Sequence, residues 1–140
     1  MPDVLNDAFE IAGYGAIGLV LMAAGYAVVD ALTPGRLFTL IVEQRNRNAA
    51  LITSASVGAM AIVAAMAVHS AEGDASTGLT AAAVYGVVGL ALMAISFVVI
   101  DLLTPGRLGD IVTDPQPQPA TWVTATAHLG VGLVIAAAIS

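Results

Sequence analysis

Two aspartates, Asp30 and Asp101, are the only acids inside two long apolar stretches of this chain, and each stands six residues before an arginine, Arg36 or Arg107. A carboxylate in such a place can do one of two things. It can take up a proton or a cation, or it can accept hydrogen bonds that close a turn of its own backbone. Near the C-terminus of a helix an ionised acid opposes the macrodipole and is costly beside lipid, so it needs a partner. Two partners are close in sequence: the arginine, and the free N–H groups at the start of the next helix. In one reading each Asp staples the corner of its own hairpin. In the other, Asp30 and Asp101 face a shared cavity and bind a proton or cation. A third ionisable side chain, His128, lies about a third of the way through the last apolar stretch. With Thr124, Thr126 and Ser140 it makes that stretch the most polar of the set. Such a stripe can relay protons or can hydrogen-bond helix to helix.

The surroundings of the two aspartates are duplicated. Residues 12–37 and 83–108 are identical at 16 of 26 positions, and both end in Leu-Thr-Pro-Gly-Arg-Leu. Position 57, the counterpart of His128, is Val57, so the repeated unit does not require the histidine. The chain therefore divides into two copies of one unit, 1–70 and 71–140.

Composition identifies the medium. The 140 residues are 59% hydrophobic and 10% charged, with a mean hydropathy of +0.93, whereas soluble domains carry about 25% charged residues. The apolar residues fall in four blocks, about 11–32, 49–69, 80–103 and 120–139. Each has roughly the 20 residues that a helix needs to cross a bilayer. They are continuous and rich in Ala, Leu, Val and Gly, unlike the short alternating strands of a membrane barrel. The expected fold is an all-α membrane protein: four transmembrane helices, arranged as two tandem pseudo-symmetric hairpins with short interfacial helices. The acidic start, with Asp3 and Asp7, lacks the positive region of a cleavable signal peptide, so the first block is expected to be retained.

All four basic residues are arginines, at 36, 45, 47 and 107, between blocks one and two and between blocks three and four. The positive-inside rule puts those connections in the cytoplasm and both termini outside. The halves then share one orientation, related by a pseudo-twofold axis along the membrane normal. Within each connection Thr33 or Thr104 is placed to cap a short helix, with proline at its first position. Leu37, Leu40 and Ile41 share one face of it, as Leu108, Ile111 and Val112 do in the second copy. Prolines at 115, 117 and 119 then force an extended approach to block four. Trp122, Tyr14 and Tyr85 suit interfacial anchors, and His69 is placed at the outer boundary. Asn48 reads as the cap of block two.

Several chemistries are excluded. With no cysteine there is no disulfide, thiolate metal site or cysteine nucleophile. No metal-binding cluster, phosphate loop or nucleophile elbow occurs, so no catalytic residue, metal or cofactor is expected and the protein reads as a non-enzyme. A net charge of −6 argues against nucleic acid as a partner.

Asp30-Ala31-Leu32-Thr33-Pro34 with Asn48-Ala49-Ala50, and Asp101-Leu102-Leu103-Thr104-Pro105 in the second copy, resemble a known bacterial family. It is the domain of unknown function 350 (DUF350), also called the UPF0719 transmembrane proteins. The resemblance spans the whole chain, except that the proline run replaces the Asn-Ala-Ala entry after Asp110. It implies a four-helix protein of the bacterial inner membrane and names no activity. Members look like neighbours of membrane-stress proteins of the phage-shock type, which implies a partner of that kind. Two functions are compatible with the residues. One is a non-enzymatic membrane component that binds a partner through its Arg-bearing connections. The other is a small ion or proton channel or transporter subunit using Asp30 and Asp101. Four helices enclose little space, so the second calls for a homo-oligomer.

Overall fold

The computed structural model describes residues 2–104 and 106–140, with the side chains of Pro2 and Asp3 left aside. Pro105 of the second corner motif lies outside the described residues. Among these residues the chain forms five α-helices and one π-helical turn, with no strand. Helix α1 is Pro2–Leu32, α2 Arg47–His69, α3 Ala75–Leu103, α4 the short Leu108–Thr113, and α5 Pro119–Ile139; the π turn is Thr39–Glu43. Four of them (α1, α2, α3 and α5) are long and apolar enough to cross a membrane.

Helix α1 starts well before the expected block. Its 31 residues give about 46 Å of helix, more than the roughly 30 Å hydrocarbon layer. Nothing in residues 4–11 breaks a helix. Asn6, Asp7 and Glu10 take one side, while Val4, Leu5, Ala8 and Phe9 take the other.

The chain runs down and up twice. Helix α2 is central and packs on α1, α3 and α5, while α1 and α5 form no comparable pair. Helices α2 and α5 run parallel: Thr121 bonds Asn48 near their starts, and Gly132 sits on Ala59 midway. The close approach needs glycine, because a Cβ at position 132 would lie 2.6 Å from the Ala59 Cβ and 2.9 Å from its Cα. Small residues set this contact, as expected between helices that gain nothing from hiding apolar surface in lipid.

Two clusters make the core. One, midway along the helices, joins Leu21, Ala59, Met60, Val63, Ala64, Met93 and Ile135. The other lies at the corner end and joins Val29, Ala49, Ile52 and Phe97 to Leu37, Leu40, Leu108 and Val112. The apolar faces of the short connecting segments are thus docked under the bundle, not laid against lipid. Leu37 and Leu108 are fully buried.

Candidate corner site

Each long first helix ends in the same device. The Thr33 hydroxyl donates back to the Val29 carbonyl at 2.7 Å, and Thr104 does the same to Ile100 at 2.7 Å. The threonines therefore finish the first helix and do not cap the next one, a correction to the expected role. Gly35 and Gly106 come next with φ of +90° and +95°, a reversal open to glycine. The chain then turns back so that the N–H of Leu37 donates to Asp30 Oδ1 at 2.7 Å. In the second corner Leu108 N–H donates to Asp101 Oδ1, also at 2.7 Å. Each carboxylate thus reaches seven residues ahead and takes an N–H at the start of the next helical segment, which a backbone carbonyl cannot reach.

Of the two partners open to each Asp, the structure uses the backbone. The Arg36 and Arg107 side chains are exposed, as are Arg45 and Arg47, and all four sit at the same end of the bundle. A cleft of about 520 Å³ lies between the corners, lined by Leu32 and Pro34 from the first and by Asp101, Thr104, Arg107 and Asp110 from the second. Gly109 packs tightly on Pro34 at its floor, where a Cβ would meet the proline ring at 2.6 Å.

His128 is elsewhere. It is 1% exposed, and its ring stacks on Phe97 of α3, with centroids 4.9 Å apart and planes 17° from parallel. Neither ring nitrogen has a hydrogen-bond partner among the described residues, and neither does Thr53 Oγ1. Thr124 shares the buried face and donates to the Ala120 carbonyl at 3.1 Å. Thr126 points outward and donates to Trp122, so the polar residues of α5 do not form one stripe. No group of three His, Asp or Glu side chains able to hold a metal occurs among the described residues.

The polar centre that sequence reasoning missed is Asn48. Asn46 is the true cap of α2, its Oδ1 accepting from Ala49 N–H at 3.0 Å. Asn48, in the first turn and buried, instead holds the proline-rich segment. Its amide donates to the carbonyls of Asp114 at 3.0 Å and Gln116 at 2.7 Å. Its Oδ1 accepts from Gln118 N–H and from the Thr121 hydroxyl, each at 3.0 Å. All four hydrogen-bonding positions of one side chain are filled. The need arises from Pro115, Pro117 and Pro119: an extended run with alternate N–H groups missing cannot pair its carbonyls in a helix or sheet, so side chains must do so. A buried-side Asn beside an unpaired proline run was the available signal.

Asp114 completes the loop, accepting from Gln116 N–H at 2.7 Å and from the Gln118 amide at 2.6 Å. The Gln116 backbone bond first, then the Gln118 side chain, hold its carboxyl below the ordinary 3.8. A carboxyl depressed by folding adds stability that is complete above its unfolded value and is lost as pH falls through the folded one. The melting temperature in micelles should therefore hold near about pH 5 and drop below about pH 4, with a shallower drop in Asp114→Asn. An identical acid profile for that variant would count against the loop's contribution.

The chain matches the family model described as Domain of Unknown Function (DUF350) over residues 3–139. It is 34% identical to a UPF0719 transmembrane protein of Mycolicibacterium paratuberculosis, over 98% of this chain and 91% of that one. It is 36% identical to a UPF0719 transmembrane protein of Mycobacterium bovis, over 98% of this chain and 90% of the relative. No solved structure matches it. With four membrane-length helices and this likeness along nearly its whole length, the chain belongs to the DUF350 family of transmembrane proteins.

Proposed function

We propose that this protein is a non-enzymatic component of a bacterial cytoplasmic membrane that presents its corner end to a protein partner. The observation that carries the reading is the identical Asp-to-backbone bond, 2.7 Å in both corners. It makes Asp30 and Asp101 braces for a rigid docking end, with the arginines left free outside it. Equal use of the two acids supports the equivalence of the halves 1–70 and 71–140. The grouping of Arg36, Arg45, Arg47 and Arg107 at that end supports a cytoplasmic orientation, with both termini outside. A membrane-stress protein is the class of partner that the family resemblance suggests.

Three measurements test it. Protein reconstituted in liposomes should pass neither protons nor small cations above empty vesicles. The Asp30→Asn/Asp101→Asn variant should lose about 1–2 kcal/mol of stability, because an amide oxygen is a weaker acceptor than a carboxylate. Flux in the parent that vanishes in a folded double variant would replace this reading with the alternative, an ion or proton channel or transporter subunit. Exchanging residues 36–47 should abolish capture of a partner from bacterial membranes while insertion survives. Capture that persists would sink the docking role.

A further inference from the structure

Beside the proline-rich segment lies another cleft, on the flank where α2 and α5 run parallel. It encloses about 480 Å³ and is lined by Arg47, Leu51 and Ser54 of α2, by Pro117 and Gln118 of the loop, and by Trp122 of α5. Its character changes along its length. From Arg47 to Ser54 is two turns of α2, about 10 Å. Arg47 lies at the corner end of the bundle, and Leu51 and Ser54 lie toward its middle. One turn beyond Ser54 the cleft closes, where Leu129 of α5 rests over Gly58, 3.6 Å from the position of a Cβ. The cleft is thus cationic at the membrane boundary and uncharged where it enters the hydrocarbon layer, which is the profile of a phospholipid.

The floor is fixed before any ligand arrives. Gln118 donates its N–H to Asn48 and its side-chain amide to Asp114, and the Thr121 hydroxyl donates to Asn48. Two groups face outward over this floor: the exposed Arg47 side chain and the Trp122 indole, 67% exposed. Arg47 is the one ionisable residue lining the cleft among the described residues. The acid of the loop, Asp114, turns its carboxylate into the loop itself, onto Gln116 and Gln118. A ligand in the cleft therefore meets one positive charge and no negative one.

We propose that this cleft binds an anionic phospholipid from the leaflet on the corner side, with its phosphate on Arg47, its glycerol region beside Trp122 and one acyl chain over Leu51 and Ser54. Basic pockets between membrane helices take lipid head groups in this way. A tryptophan ring settles at head-group depth because its body is apolar and its N–H is polar. A zwitterionic lipid brings an ammonium group as well, and the cleft has no carboxylate to receive it. Helices α2 and α5 both start at this end, so their macrodipoles add to the guanidinium charge. Nothing in this site depends on what docks at the corners.

Trp122 is the only tryptophan in the chain, so its fluorescence reads the site directly. The protein is reconstituted in phosphatidylcholine vesicles that contain, as a minor component, phosphatidylglycerol brominated in one acyl chain. The same fraction of brominated phosphatidylcholine is the reference, and bromine quenches the indole only at close range. Quenching by the brominated phosphatidylglycerol should correspond to about fivefold enrichment beside Trp122, whereas the brominated phosphatidylcholine should quench at its bulk fraction. Arg47→Gln should bring the two lipids to equal quenching. Ser54→Phe, which fills the uncharged end and keeps every charge, should do the same. Both side chains are exposed, so the circular dichroism of each variant should match the parent. Equal quenching by the two lipids in the parent would overturn the proposal. So would enrichment that survives Arg47→Gln, or that survives Ser54→Phe, the mark of diffuse surface charge. Relief of the quenching by glycerol phosphate in solution, at constant ionic strength, would overturn the lipid as occupant and make the cleft a site for soluble phosphate esters.

Discussion

Replacing Asn48 by leucine is expected to cost about 3 kcal/mol of stability, although the substitution adds apolar surface to a membrane protein. The side chain makes four hydrogen bonds, to Asp114, Gln116, Gln118 and Thr121, and each is worth about 1 kcal/mol net. Water can recover part of the loss at the loop, which is why the total falls short of four. The Asp114 carbonyl keeps its bond from the Asn46 amide at 3.0 Å, but the buried Thr121 hydroxyl and the Gln116 carbonyl lose their partner, and that penalty exceeds any gain from the larger side chain. Asn48→Asp should be no better, because it turns an acceptor oxygen toward the two carbonyls that the amide now serves. Reversible unfolding in mixed micelles, followed by circular dichroism, measures both. Leucine within about 0.5 kcal/mol of the parent would show that the proline segment is held by something else. Pairing Asn48→Leu with Thr121→Val should give a combined loss smaller than the sum, since both remove the same bond.

Gly132→Ala is expected to destabilise by about 1–3 kcal/mol, and Gly132→Leu by more, while Gly130→Ala two residues away should be neutral or stabilising by up to about 1 kcal/mol. The contrast comes from what each new Cβ would meet. At position 132 it meets the Ala59 Cβ at 2.6 Å, Cα at 2.9 Å and carbonyl oxygen at 3.1 Å. Backbone atoms cannot rotate aside, so α2 and α5 would have to separate along the contact that organises the bundle. At position 130 nothing lies within 4 Å, and the only effect left is the helix preference of alanine over glycine. Equal effects for the two variants in the same unfolding assay would contradict the parallel α2–α5 packing.

Both predictions concern residues whose weight comes from the partner across the bundle. Asn48 and Gly132 look ordinary in sequence, one a plausible helix cap and the other one glycine among 14. The corner aspartates were different. Their repetition, their placement one turn before Thr-Pro-Gly-Arg and their need for a partner marked them in advance. The choice between the arginine and the backbone N–H was open until the chain was seen to fold back over seven residues. Thr33 and Thr104 were assigned to the wrong helix for a related reason. A threonine between two helices can cap the second or bond back to the first, and local sequence favours neither.

The amino-acid sequence by itself determined the medium, the helix count, the duplication and the two corners. These depend on unbroken apolar runs and on local turn chemistry, and both are properties of neighbouring residues. Only the tertiary structure decided which face of each helix is buried. Helices α1 and α3 carry nearly the same residues, yet one buries Leu21 and the other exposes Leu92. In lipid, apolar side chains are tolerated on every face, so hydrophobic patterning cannot choose between faces. The choice falls to close packing at Gly86, Gly89 and Gly132, where only the approach of another helix gives the missing Cβ its meaning.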